Sequence, residues 1–437
     1  MKKILGLFPI AIAIISILLL IYILFKSGIF LENSKKFGKI YYIIPIFLLS
    51  VSLISFFLSE SVRINISLTF LVLSFSFYIF ETYLSLQISP DKQKAISEYN
   101  NKNKNKFDTR NKFQIYSDLK KKNGKIALPI PPKVYANKKD SSFLPISGVS
   151  NTETINCNEN GYYSIIESDK YGFNNPNADW NKEIVDFVLV GDSFVYGSCV
   201  NRPNDIASNL RTLNKNKNGI LNLGYIGNGP LTSYIALREY LQDKKVNNIL
   251  FFFYEENDMN DLRRELSHPL LNRYLSDLKF SQNLIKKQKI IDEVARKSII
   301  EEEKKFFNRK LVEFIKVSRV RGLFTFFKQK TKEKEDPKTE FKKILKLTNE
   351  FAKEKKSNIY FIYLPSYQRF SDDKFIDKKE IILDTAYTSN INVIDIHSEI
   401  FENHNDPLSL FPFRINGHYT NEGYKKISKK IYKIIYN

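Results

Sequence analysis

One stretch constrains the fold of this chain more than any other: a run of apolar residues that ends abruptly in Gly-Asp-Ser. Residues 184–190 read IVDFVLV, and Gly191, Asp192 and Ser193 follow directly. A short run of β-branched and aromatic residues stopped by a glycine is typical of a buried strand that enters a tight turn of a parallel sheet. Open α/β sheets bind ligands at the carboxyl ends of such strands. The sequence therefore predicts a functional site at Ser193.

Strand and helix patterns alternate after this point. The candidate strands are 184–190, 219–223, 247–254, 358–364 and 391–396. A final amphipathic helix covers about 422–435. Apolar strands that alternate with helices predict a parallel sheet covered on both faces. A long interruption, 262–355, has apolar residues spaced three and four apart, and we interpret it as a helical insertion. Its role stays open between packing on the sheet edge, a lid, a dimer surface and a helix that lies on a membrane.

The first 88 residues carry a different pattern. Three apolar stretches run at about 4–25, 40–58 and 64–86. Each reaches the length of about 20 residues that a helix needs to cross a bilayer. Lys2 and Lys3 resemble the start of a signal peptide, but the apolar run is too long for one and no small-residue cleavage site follows. We predict an uncleaved anchor of three transmembrane helices, and the alternative is a cleaved signal followed by a hairpin.

Charge and cysteines bear on the side of the membrane that the domain occupies. Lys2 and Lys3 favour a cytoplasmic N-terminus and, with three spans, an external domain. The basic residues of the first loop and those after the third span oppose this orientation. Cys157 and Cys199 are the two cysteines of the chain. They either form a disulfide in an oxidising compartment or fill two buried positions. We predict a multi-pass membrane protein with an extracytoplasmic domain.

Composition limits the partners of the remaining regions. Residues 89–154 are polar and rich in Lys and Asn, which predicts a flexible basic linker before a domain at 155–437. The chain has 67 Lys and Arg against 47 Asp and Glu. This excess is dispersed and comes without a nucleic-acid-binding motif, so we expect no nucleic-acid partner. Two cysteines and four scattered histidines leave little for a metal cluster, and we expect no metal and no cofactor.

Four positions carry the predicted chemistry. A serine hydroxyl is a weak nucleophile, so Ser193 needs a general base. His418, in NGHYTNEGY ahead of the final helix, has the most suitable position, and His397 is a second candidate. Acyl transfer also needs donors for the developing oxyanion. Gly227 in NLGYIGNGP and Asn257 in FFFYEENDM follow the next two strands and can supply them.

In chain order, GDSFVYG, GYIGNG, EEND and GHYTNEGY resemble the four sequence blocks of the SGNH (GDSL-type) hydrolases. The resemblance covers about 184–437 without the insertion. It implies a flavodoxin-like three-layer α/β fold with Ser193 as nucleophile and His418 as general base. It also implies an oxyanion hole formed by the backbone N–H of Ser193, by Gly227 and by Asn257. The anchor and the insertion are similar to membrane-tethered members that modify cell-envelope polysaccharides.

The chain departs from the family pattern beside the histidine. Most members have an aspartate two or three residues before it, whereas this chain has Asn416 and Ile415. Asn416 can hold the imidazole through its side-chain oxygen, as in a Cys-His-Asn site. Asp406, Asp395 and a Ser-His dyad are the alternatives.

Two kinds of function follow from the resemblance. The first is a membrane-anchored serine esterase that hydrolyses or transfers an O-acyl ester of a small molecule or an envelope glycan through an acyl-enzyme at Ser193. The residues do not separate hydrolysis from transfer, because exclusion of water depends on the pocket and its cover. The second is a non-catalytic carbohydrate-binding or assembly protein that kept the fold, which the missing carboxylate leaves open. The sequence does not indicate the acyl group, the acceptor or the oligomeric state.

Overall fold

The computed structural model describes residues 2–26, 40–136, 143–323 and 336–436. Over these ranges the chain forms two compact units. The first unit contains the described residues up to Gln87 together with 308–323, and the second contains the others. The basic loop 27–39, on which the predicted orientation partly depends, lies outside the described residues.

Helices and strands alternate along most of the described chain. The α-helices are α1 (Lys2–Lys26), α2 (Ile40–Ser55), α3 (Glu60–Leu86), α4 (Pro90–Lys102), α5 (Lys112–Asn123), α6 (Pro132–Ala136), α7 (Ser193–Tyr196), α8 (Ile206–Leu213), α9 (Pro230–Tyr240), α10 (Asp258–Leu266), α11 (Pro269–Ser276), α12 (Gln288–Ile315), α13 (Ser318–Leu323), α14 (Lys338–Glu354), α15 (Gln368–Ser371), α16 (Lys379–Tyr387) and α17 (Asn421–Tyr436). The strands are β1 (Ile126–Ala127), β2 (Glu153–Ile155), β3 (Ile165–Glu167), β4 (Ile184–Val190), β5 (Gly219–Asn222), β6 (Lys245–Tyr254), β7 (Asn358–Leu364) and β8 (Asn392–Asp395).

The first unit is built on three apolar helices, of which two are long enough to cross a membrane by length and composition. These two are α1, with 25 residues, and α3, with 27. α2 has 16 residues, which span about 24 Å against roughly 30 Å of hydrocarbon. The prediction of three spanning helices is therefore corrected to two candidates. α2 packs against α1, where the hydroxyl of Ser52 donates to the carbonyl of Pro9.

A five-stranded sheet organises the second unit. Its strand order is β5-β4-β6-β7-β8, and every neighbouring pair is parallel. Counted within this sheet the order is 2-1-3-4-5, which is the flavodoxin-like arrangement. The predicted parallel α/β sheet is confirmed, and the five strands lie within about two residues of their predicted bounds. A separate three-stranded sheet pairs β1 with β2 and β2 with β3.

β4 is buried on both faces, as its continuous apolar sequence predicts. Val188 and Val190 belong to one apolar core, which also contains residues of α9, α14 and α16. Phe187 and Leu189 point to the opposite core, which contains residues of α8 and α17. Successive side chains of a strand point to opposite faces, so one short run supplies both cores. The sheet thus fixes the position of whatever follows Val190.

The interruption between β6 and β7 divides into two parts. α14, which falls inside the predicted insertion 262–355, is the crossover helix of the sheet. Its buried Phe341 and Ile344 pack in the core, with the Phe341 ring 5.3 Å from that of Phe253 in β6. The additional helices are therefore α11 to α13.

The described part of 89–154 is folded, in contrast to the predicted flexible linker. α4 and α5 form here, and Asn111 and Gln114 make a capping box at the start of α5. Phe113 and Ile130 are buried in the main core. The average composition of this region is polar, but a few of its apolar side chains pack against residues that are distant in sequence. Composition alone does not predict these contacts.

Candidate active site

The turn after β4 presents Ser193 at the carboxyl edge of the sheet. The helix α7 starts at Ser193, and the carboxylate of Asp192 accepts the backbone N–H of Phe194 at 2.9 Å. The loop after β5 comes very close to this turn. A Cβ on Gly224 would lie 2.5 Å from the Cβ of Val195, so only glycine allows this approach. Local sequence and close packing together hold the serine in place.

The structure brings His418 to Ser193. Nε2 of His418 lies 2.8 Å from Oγ of Ser193, which is hydrogen-bonding distance. His418 sits in the loop just before α17, as the sequence indicates. The imidazole also packs on the Phe194 ring at a centroid distance of 4.6 Å. A serine hydroxyl and an imidazole in this geometry can exchange a proton.

The other side of the imidazole is held by Glu159, a residue that the sequence analysis missed. Nδ1 of His418 lies 3.0 and 3.2 Å from the two carboxylate oxygens of Glu159. The backbone N–H of His418 also donates to this carboxylate, at 2.6 Å. Glu159 therefore fixes both the ring and the main chain of the histidine. The three side chains form a continuous Ser-His-Glu chain of hydrogen bonds.

The residues proposed from sequence to orient His418 lie elsewhere. Asn416 is exposed. The group that is hydrogen-bonded to Nδ1 of His418 is Glu159 and not Asn416, in contrast to the interpretation made from the sequence. Asp406 pairs with Arg414. Asp395 pairs with Lys379, 3.1 Å away. A signal for Glu159 was present, because it follows Cys157 by two residues, but no sequence spacing linked it to His418.

His397, the second candidate base, is also occupied elsewhere. Its Nδ1 lies 3.3 Å from Nζ of Lys379, and its ring stacks on Phe370. Burial and the nearby cations lower the pKa of His397. Of the two histidines it is His418 that meets Ser193.

The electrostatics of the pair favour ionisation of both partners. Burial favours neutral His418, but the Glu159 carboxylate outweighs it and raises the pKa of His418, with Asp192 and Glu256 adding to the effect. Burial also opposes the charge of Glu159, and the adjacent His418 lowers the pKa of that carboxyl below its usual value. The imidazole is thus a stronger base than a free histidine, and its carboxylate partner stays charged.

A disulfide joins Cys157 to Cys199 beside the site, so the structure selects the disulfide from the two roles that the sequence left open for these cysteines. Sγ of Cys199 lies 3.8 Å from Nδ1 of His418. The bond ties the segment that carries Glu159 to the loop that follows the nucleophile turn. Cys157, Cys199 and His418 are close enough together to be considered as metal ligands, but both sulfurs are consumed in the disulfide.

The predicted oxyanion donors lie on the loops that follow β5 and β6. Gly227 has a φ of 70°, and a Cβ there would lie 2.9 Å from the Cβ of Pro131, so glycine is required. Nδ2 of Asn257 lies 3.3 Å from the carboxylate of Asp192 and 2.9 Å from that of Asp261. Both amide hydrogens are thereby engaged. Asn257 can serve an oxyanion after it releases the longer bond, to Asp192.

A cavity of about 420 Å³ lies against Glu159. Asn416 and Gly417 line it near the histidine loop, and Phe107, Arg110 and Phe413 line it farther away. Its wall mixes aromatic and polar side chains, which suits a polar organic ligand.

Comparisons with known proteins give likenesses of fold at low scores. No family model matches the chain, and neither does any curated protein. Among solved structures, one assigned to the G-D-S-L lipolytic family, from Desulfitobacterium hafniense DCB-2, has 13% identity and a TM-score of 0.32, and the match covers 57% of this chain and 99% of the other. The acetyl xylan esterase AlAXEase has 10% identity and a TM-score of 0.33, with 57% and 99% covered. A carbohydrate acetylesterase family member from Sinorhizobium meliloti has 10% identity and a TM-score of 0.27, with 57% and 97% covered. These scores are too low to carry an argument, so the interpretation of the site depends on its own geometry.

Proposed function

We propose that this chain is a membrane-anchored serine esterase of SGNH type, which hydrolyses or transfers an O-acyl ester through an acyl-enzyme on Ser193. One observation carries the proposal: the Ser193–His418–Glu159 chain of hydrogen bonds at the carboxyl edge of the sheet. Nucleophile, base and orienting carboxylate are the three parts of an acyl-transfer triad, which is recognised by geometry and not by sequence position.

The first half-reaction forms the acyl-enzyme. Oγ of Ser193 attacks the ester carbonyl carbon as Nε2 of His418 takes its proton. The tetrahedral intermediate collapses, the C–O bond to the alcohol breaks, and His418 gives its proton to the departing oxygen. Deacylation repeats these steps with water or a sugar hydroxyl as the nucleophile. Water yields the free acid, and a sugar hydroxyl yields a new ester.

Glu159 has a defined task in this scheme. It accepts the Nδ1–H of His418, which leaves Nε2 free to accept the serine proton. It also stabilises the imidazolium that forms during each proton transfer. The oxyanion is stabilised by the backbone N–H groups of Ser193 and Gly227 and by the amide of Asn257, once that amide turns from Asp192.

Location suggests the substrate class. α1 and α3 would anchor the chain in a bilayer, and the Cys157–Cys199 disulfide fits an oxidising compartment outside the cytoplasm. An enzyme held there meets the glycans of the cell envelope. An O-acylated glycan is therefore the substrate that we propose.

Active-site labelling tests the proposal. The full chain in nanodiscs is treated with a fluorophosphonate probe, and the modified peptide is identified by mass spectrometry. We expect labelling at Ser193 that is lost in His418→Ala, and turnover of acylated sugars that follows the same pattern. Absence of labelling from a folded protein, or labelling that persists in His418→Ala, would contradict the proposed mechanism.

A further inference from the structure

The helical insertion contains a segment that belongs to the unit of the apolar helices. Residues 308–323, the end of α12 and all of α13, group with α1, α2 and α3. Two contacts attach the segment to α3. The hydroxyl of Tyr78 donates to the carbonyl of Ile315 at 2.9 Å, and the ring of Phe314 lies 5.6 Å from that of Tyr78.

A buried carboxylate makes the attachment specific. Glu81 lies within α3 and is 1% exposed. It accepts the backbone N–H of Arg319 at 2.9 Å and that of Val320 at 2.8 Å. A charged side chain in an apolar helix is costly unless it is satisfied, and here the segment satisfies it. Glu81 therefore has a structural partner in the insertion.

The position of Glu81 sets the depth of the segment. Residues 64–80 of α3 contain no charged side chain, and Arg63 and Glu81 lie on either side of them. This stretch spans about 26 Å, close to the roughly 30 Å hydrocarbon core. Glu81 thus marks one boundary of the core, with Tyr78 and Tyr83 in the region that interfacial aromatic residues prefer. The segment that binds Glu81 lies at the same depth.

The segment itself has the pattern of an interfacial helix. Leu311, Phe314 and Ile315 recur at helical spacing on one stripe of α12. They are 38–59% exposed, although they are large apolar side chains. Basic residues accompany the stripe: Arg309, Lys316, Arg319 and Arg321. An exposed apolar stripe with basic neighbours fits the boundary between acyl chains and anionic head groups.

We propose that residues 308–323 lie in the bilayer interface beside α3, as an additional membrane attachment. The occupant of the apolar stripe is lipid, because Phe314 of the stripe contacts Tyr78 of α3, a helix whose Val72 and Phe75 are 63% and 69% exposed. Along the chain the segment lies between β6 and β7. This inference rests on the anchor proposed above.

Depth-dependent fluorescence quenching tests the inference with the full chain in nanodiscs. Single cysteines introduced as Leu311→Cys or Leu323→Cys carry an environment-sensitive dye, with the native disulfide left oxidised. Lipids carry spin labels at shallow or deep acyl positions. We expect several-fold stronger quenching of both dyes by the shallow label than by the deep one. A dye at Lys297→Cys, an exposed position nearer the start of α12, is the water-facing control.

The outcomes separate the possible failures. Dyes at both introduced positions that behave like the one at position 297 would overturn the inference. Quenching that appears only with two protein copies in each nanodisc would assign the stripe to a second copy, which also overturns it. A dye at Phe75→Cys reports α3 itself, and if it escapes the deep label the anchor is wrong. Fluorophosphonate labelling of Ser193 in the same samples reports the proposed esterase activity separately.

Discussion

The two sides of the His418 ring are built in different ways. Nε2 faces Ser193, which follows directly from a buried strand of the central sheet. Nδ1 faces Glu159, which lies on a loop before the sheet and is connected to the site by a disulfide. The sheet positions Ser193 through packing, whereas a covalent link and a charge pair position Glu159. The difference indicates that the two partners of one imidazole need not share a structural origin.

The largest loss of activity is expected when Ser193, the residue held by the sheet, is replaced. Ser193→Ala removes the nucleophile and should reduce ester turnover by at least ~10⁴-fold. The thermal unfolding midpoint should stay nearly unchanged, because the hydroxyl contributes little to packing. Hydrolysis of a chromogenic acetyl ester and calorimetry measure the two quantities. Activity that survives in Ser193→Ala would remove the basis for assigning the nucleophile to the sheet edge.

Glu159→Gln tests the orienting role of the carboxylate that the loop before the sheet supplies. The amide can donate to Nδ1 and hold the wrong tautomer, so we expect kcat to fall by ~10²–10⁴-fold. Asn416→Ala is the matched control, because Asn416 is exposed in the same cavity wall. Its kcat should stay within about threefold of the parent. Equal losses in both variants would show that the two residues share the orienting role, and a loss in Asn416→Ala alone would restore the interpretation made from the sequence.

The comparison of Ser193 with Glu159 explains which parts of the fold and of the site could be predicted from the sequence. A strand that ends in a glycine turn is a local pattern, and β4 was placed correctly to the residue. For the two isolated cysteines the sequence left a disulfide and two buried positions open, and the structure shows the disulfide. Glu159 was missed because its neighbours in sequence carry no periodicity that points to His418, 259 residues away.

In the first unit, hydropathy predicts spans at α1, α2 and α3, of which α2 is too short, and it gives no weight to Glu81. The partner of that carboxylate lies about 240 residues later, at Val320. Periodicity and composition describe neighbours in sequence. Periodicity and composition therefore cannot predict a contact that a single polar group makes with a residue distant in sequence.

The disulfide should have an intermediate effect. In Cys157→Ser with Cys199→Ser, the loop that carries Glu159 loses its covalent link, and a displacement of about 1 Å can cost up to ~100-fold in rate. The free energy of unfolding should fall by about 2–4 kcal/mol. Mild reduction of the parent should reproduce both losses, and reoxidation should reverse them. Full activity after complete reduction would show that packing alone holds Glu159.

The smallest effect is a shift of the pH dependence of kcat/KM. It distinguishes the influence of Glu159 on His418 from that of Ser193 most directly. The base must be neutral to accept the serine proton, so the rate rises with pH through the pKa of His418. That pKa is raised above its usual 6.5 by Glu159, so half-maximal kcat/KM is expected above pH 6.5. In Glu159→Gln the raising influence is lost while burial remains, and the midpoint should move to lower pH even as the maximum falls. A midpoint that stays in place would mean that Glu159 holds the ring without tuning its charge. Glu159 would then only position the imidazole, just as the sheet only positions Ser193.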